Sequence, residues 1–274
     1  MINLTDIDIS YSFTNDTPGY WDNYWENNPL MGHSKKDPDK LSLMLRNYHQ
    51  LLWSKPLPNG EIMQLEHKRS DCYLEWNKFC VGSDSIIVSF RYRRRMEFMK
   101  KLRQHLGDEY KHFIESYVTR SSVIGGYMIF PSFNGGMNQS RGTNHRICDR
   151  WDLTMECIRL YYDGKHSPLD DAIYASKRFF DLFVDFKGFV DFFFMQDCVT
   201  PDYKKVILWY DSPMKDSQLN LCNDWGVDDT TFDTSYFIMN PMPDTIDGYL
   251  DFVNKEFEFL EKRNQRILEY CRKS

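Results

Sequence analysis

Apolar residues recur at helical spacing through much of the chain. Leu41, Met44, Leu45, Tyr48 and Leu52 follow that period, and Asp37-Pro38 ahead of them supplies an N-cap and a proline for the first helical position. Pro56-Leu57-Pro58-Asn59-Gly60 stops this helix and turns the chain into a short strand at 61–65. Ser83-Asp84-Ser85 predicts the cap of a helix that carries a basic run and ends at Gly107. The next helix, 108–118, places Phe113, Ile114 and Tyr117 on one face, and 123–130 reads as a strand. Gly125-Gly126 inside that strand predicts a bulge or a close backbone approach.

Further along, Asp149 is expected to cap a helix through 163, with Asp152 three residues on as a weak capping box. Ser167-Pro168 opens another helix to about 185, and Gly188 interrupts the chain after it. Residues 189–199 are so apolar that they predict a central, buried helix. A strand at 206–210 follows, and Thr245 begins a last long helix whose stripe is Ile246, Tyr249, Leu250, Val253, Phe257, Leu260, Ile267, Leu268 and Cys271. The fold class expected is α+β: a single helix-rich domain over 1–274 with a small sheet and a long C-terminal helix. Within it, 1–36 reads as an N-terminal arm and 211–236 as an acidic insertion.

Composition narrows this picture. Hydrophobic residues at 42% and charged residues at 27% exclude disorder, collagen and coiled coil, while 16% aromatics imply a core built on rings. A net charge of −6 argues against broad nonspecific binding to nucleic acid. The charge is uneven, with Arg91, Arg93, Arg94, Arg95, Lys100, Lys101 and Arg103 in one run and six aspartates at 211–236. No apolar run is long enough to span a membrane. The N-terminus lacks the pattern of a signal peptide. Seven scattered cysteines without CxxC read as reduced thiols of a cytoplasmic protein.

Candidate chemistry gathers at 131–150. Gly135, Gly136 and Gly142 permit close backbone approach, and Asn134, Asn138 and Asn144 supply donors. Arg141, Arg146 and Arg150 can clamp an anion at the start of the next helix. On that helix Asp152 and Glu156 lie at i, i+4. In a cleft their crowding makes a general acid or base; alternatively they form a satisfied network with Arg150 and Arg159. Gln196 and Asp197, ending the apolar stretch, are placed on the opposite wall. His145 and Cys148 have HxxC spacing without a second pair in register, so no metal is expected, and no cofactor is implied. The reading is a site that binds or processes a phosphate-bearing, nucleotide-like small molecule, with Asp152, Glu156 and Asp197 catalytic. Asn138, Arg141, Gly142, Asn144, Arg146, Arg150 and Gln196 would bind the ligand. Two alternatives stay open. One is a protein-interaction module of a phage-defence or toxin–antitoxin system, using the acidic segment as its partner surface. The other is a nucleic-acid-binding protein using the basic helix 91–103.

Several blocks together resemble an uncharacterised bacterial family, a domain of unknown function. They are WSKPLPNG at 53–60, Ile124-Gly125-Gly126 with Phe130-Pro131, DRWDLTMECIRLYY at 149–162, FKGFVDFFFMQDCV at 186–199 and EKRNQRI at 261–267. The resemblance implies a bacterial or prophage cytosolic protein and carries no reaction or catalytic residue.

Overall fold

A computed structural model describes residues 3–17, 37–86, 93–131, 137–141, 147, 149–210, 243 and 245–273. Asp37 caps α1 (Pro38–Leu41), its carboxylate accepting from the Asp39 N–H at 3.3 Å. The single helix expected here is two. Ser42 is extended, and its hydroxyl accepts from the Leu45 N–H at 2.9 Å, which starts α2 (Leu43–Trp53) afresh.

The sheet is antiparallel, in the order β1 (Leu74–Trp76), β2 (Phe79–Ser85), β3 (Tyr127–Pro131). Asn77 and Lys78 join β1 to β2 with φ of 48° and 64°, a tight two-residue hairpin whose sequence lacks the usual glycine. Ser83-Asp84-Ser85 is therefore the end of β2, paired with Ile129, Met128 and Tyr127, and caps no helix. The strand expected at 61–65 is reduced to a bridge between Pro56 and Ile62, and that at 206–210 to one between Val199 and Val206. β3 starts later than expected because Ile124–Gly126 form a 3-10 turn.

The basic run from Arg93 to Arg103 lies on α3 (Arg93–Leu106), Arg91 lying outside the described residues, and α4 (Glu109–Ser121) and α5 (Met137–Arg141) follow. Asp149 does not cap α6 (Trp151–Tyr162); it adopts φ 60° and Arg150 takes the cap position. The helix expected from 167 to 185 is broken into α7 (Asp170–Ala175), α8 (Lys177–Phe180) and a 3-10 turn, Asp181–Phe183. Gly188 lies inside α9 (Phe186–Phe192) instead of interrupting it, its N–H donating to the capping Asp185 carboxylate at 2.7 Å. α9 ends at Phe192, and residues 189–195 are buried except for Asp191 and Phe194. The last helix, α10 (Ile246–Lys273), is 28 residues long, about 42 Å at 1.5 Å per residue.

Rings fill the core as the composition implies. Phe179, Phe183, Phe189, Phe192 and Phe193 pack with centroids 4.9–6.2 Å apart. α10 is fixed to the turn before β3, where Asn264 accepts from the Gly125 N–H at 2.8 Å. A Cβ on Gly126 would collide with the Ser121 carbonyl, so the expected close backbone approach is real. Cys72 and Cys80 are paired as a disulfide, against the reading that all seven cysteines are free thiols. No described helix is long and apolar enough to cross a membrane. Of the expected features, residues 18–36 of the arm, the acidic 211–236 segment, Gly142, Asn144, Arg146 and the Asn138 side chain lie outside the described residues.

Candidate functional site

Arg141, at the end of α5, is completely buried, and three elements turn toward it. Its guanidinium pairs with Asp84 from the end of β2 and lies 3.4 Å from an Asp149 carboxylate oxygen in the turn before α6. Its Nε donates to Thr154 Oγ1 at 2.8 Å, and the Trp151 ring lies 5.2 Å from its carbon centre. The positive φ of Asp149 belongs to this arrangement, because an aspartate tolerates that backbone and can turn its carboxylate to the arginine.

Next to Asp84, Ser83 Oγ donates to Asp39 in the first turn of α1 at 2.6 Å. Asp84 and Asp149 thus meet on the Arg141 guanidinium, while Asp37 acts as a neighbouring charge on both Asp39 and Asp84, and Asp84 on Asp39. Burial pushes the Asp84 carboxyl up to about 7; Arg141 pulls it down, and Asp149 and Asp37 push it up. Burial likewise lifts Asp39 well above the ordinary carboxylate range, reinforced by Asp37 and Asp84. A carboxyl that titrates near neutrality can both give and take a proton at working pH, and crowded carboxylates of this kind concentrate at functional sites.

The other expected site residues sit in networks of their own. Arg150 is buried and doubly bonded to Asp152, and donates to the Tyr210 carbonyl at 2.9 Å. Asp152 also accepts from the Trp209 N–H at 2.8 Å, so the pair fastens 209–210 onto α6. Glu156 is held by both arms of Arg159, at 2.8 and 2.7 Å, and Arg159 reaches on to Asp163. Asp152 and Glu156 thus share a helix but have separate arginines. Asp197 pairs with Arg266 of α10, and Gln196 donates to Asp191 at 3.0 Å while its Oε1 is buried without a partner. Among the described residues no hydrogen bond or ion pair joins Gln196 or Asp197 to the Arg141 group. Nor do the described residues contain a cluster able to hold a metal ion.

Sequence reasoning missed both Asp39, to which it gave no role, and Asp84, which it read as part of a helix cap. Part of a signal was present: Phe79-Cys80-Val81 is a short apolar run of the kind strands use, and an aspartate near the end of a strand has to find a partner.

A family profile matches residues 7–267, and that family is described as a family of unknown function (DUF6994). Neither curated proteins nor solved structures give a match.

Proposed function

The chain belongs to the family of unknown function DUF6994, and we propose that it binds a phosphate-bearing, nucleotide-like small molecule and performs acid–base chemistry on it. Asp84 is the proton carrier and Asp39 its partner. The observation that carries this reading is Asp84 at the end of β2, paired with the completely buried Arg141 and flanked by Asp39 through Ser83, with burial raising both carboxyls. Arg141 tunes Asp84. The anionic end of the ligand is assigned to Asn138, Gly142, Asn144 and Arg146, which flank Arg141 along the chain, and to the arginines at 91–95, which follow Asp84 along the chain. In this reading Arg150 with Asp152, Glu156 with Arg159, and Gln196 with Asp197 hold the walls.

A thermal-shift screen of nucleotides and sugar phosphates tests this. A ligand at 100 times its Kd adds about 2.7 kcal/mol to the folded state. Wild type should respond to at least one compound, Arg146→Ala should respond less, and Asp84→Asn should keep the shift but lose turnover of that compound. No response to any phosphate-bearing compound at millimolar concentration contradicts the reading.

A further inference from the structure

Around Trp53 at the end of α2 lie two buried cations that have no counter-ion among the described residues. Arg263 on α10 is completely buried. Its Nη1 donates to the Gly125 and Tyr127 carbonyls at 2.6 and 2.9 Å and its Nε to the Phe193 carbonyl at 3.1 Å, but Nη2 is buried with no partner. Lys55 is 7% exposed, and among the described residues its Nζ has neither a hydrogen bond nor an ion pair. Four rings surround that nitrogen: Phe194 at 3.7 Å, Phe192 at 4.6 Å, Tyr270 at 4.9 Å and Trp53 at 5.0 Å. The Arg263 carbon centre lies 5.8 Å from the same Trp53 ring, so both cations share it. Trp53 Nε1 and His49 Nε2, one turn apart on α2, are also buried and unpartnered.

Among the described residues no carboxylate pairs with or acts on either cation. The neighbours that could supply negative charge are thiols, Cys198 beside Arg263 and Cys271 beside Lys55, and burial raises both, which keeps them neutral. Burial lowers Lys55 well below its usual value, and Arg263 lowers it further, whereas the four rings favour the ammonium. Burial also lowers Arg263 to about 9. An uncompensated buried charge is costly, and an orphaned buried N–H adds to that cost. The backbone is also shaped for the cage. Phe194 takes φ 57° at the end of α9, where glycine would be easier, and so lays its ring on Lys55.

We propose that Lys55, Arg263, Trp53 and His49 form an internal site for a small oxyanion, a carboxylate or phosphate group. It accepts from Arg263 Nη2 and Trp53 Nε1, and Lys55 neutralises its charge. The site is separate from the Asp84 group and stands or falls independently of the function proposed above.

The test uses the full chain at constant ionic strength, titrated with inorganic phosphate, acetate and benzoate and followed by Tm and tryptophan fluorescence. Chloride serves as the control. Wild type should show saturable binding of at least one of the three oxyanions, and which one binds decides between phosphate and carboxylate. Lys55→Met, which keeps the volume, should fold and bind that anion about tenfold more weakly or worse, as should Trp53→Phe, which removes the N–H. An unchanged response in Lys55→Met places the anion elsewhere and overturns the site. No saturable response in wild type, with Lys55→Met as stable as wild type or more so, overturns it too, because Lys55 is then only a neutral, desolvated amine.

Discussion

At the scale of single residues, Asp84 and His49 make opposite demands on pH. The folded pKa of Asp84, about 7, lies above that of the unfolded chain. Its contribution to stability is therefore full at acid pH and is lost as pH rises to 7. Burial and Arg263 depress His49 to about 3, so its contribution is full above its usual pKa and is lost as pH falls. The two nearly cancel in wild type across mildly acid pH. Asp84→Asn removes one side only, so urea unfolding between pH 4 and 7 should show wild type losing ground to the variant as pH rises. The loss is roughly 1.4 kcal/mol for each unit by which the folded pKa exceeds the unfolded one; parallel curves would mean that Asp84 titrates normally. Val184 is a simpler case. With φ 69°, ψ −53° and the Asp185 N–H on the Phe183 carbonyl at 2.8 Å, it sits in a γ-turn that a β-branched residue tolerates badly. It is 64% exposed, so Val184→Gly loses little packing. Strain of roughly 1–3 kcal/mol, less the entropy cost of glycine, leaves a gain of about 1 kcal/mol, which a differential scanning measurement reads as a higher Tm. A lower Tm would contradict the account of the turn.

At the scale of elements, the helices were easiest to read where one apolar stripe continues. α10 follows its stripe closely, with Tyr249, Val253, Phe257, Leu260, Ile267 and Cys271 all buried. Reading failed where a polar residue of double meaning decides the outcome. Ser42 can continue a helix or cap a new one, and Ser83-Asp84-Ser85 can cap a helix or end a strand; tertiary partners, Asp16 and Asp39, fix each choice. The hairpin at Asn77-Lys78 was hidden because lysine replaces the glycine that marks such turns. The candidate site was legible only in part. Arg141 was legible as one of three arginines able to clamp an anionic ligand, but Asp84 and Asp39 come from elements more than 50 residues upstream of it, and spacing within one segment cannot reveal that. Gly125-Gly126 was legible, and it makes a sharp prediction. Gly126→Ala drives a methyl group into the Ser121 carbonyl and should destabilise the chain by about 1–3 kcal/mol in urea. An unchanged midpoint would mean that this turn is not tightly packed.

At the scale of the whole molecule, one hydrophobic cluster runs from Ile7 in the N-terminal segment to Cys271 near the end of α10. A core shared this widely should unfold as one unit, in keeping with a single domain over 1–274, so circular dichroism and tryptophan fluorescence should trace coincident urea transitions. Separate midpoints would divide the chain into more than one domain.

The central claim is that β2, α1 and the turn before α6 bring carboxylates together around Asp84, which pairs with Arg141, so that it works near neutral pH. A carboxyl-carbon NMR titration of aspartate-labelled protein, assigned with Asp84→Asn and Asp39→Asn, measures this directly. The account predicts that Asp84 titrates near 7 and that Asp39 is raised with it. If both titrate near 4, as free aspartates do, Arg141 and its carboxylates are an ordinary ion-pair network and the proposed acid–base site is wrong.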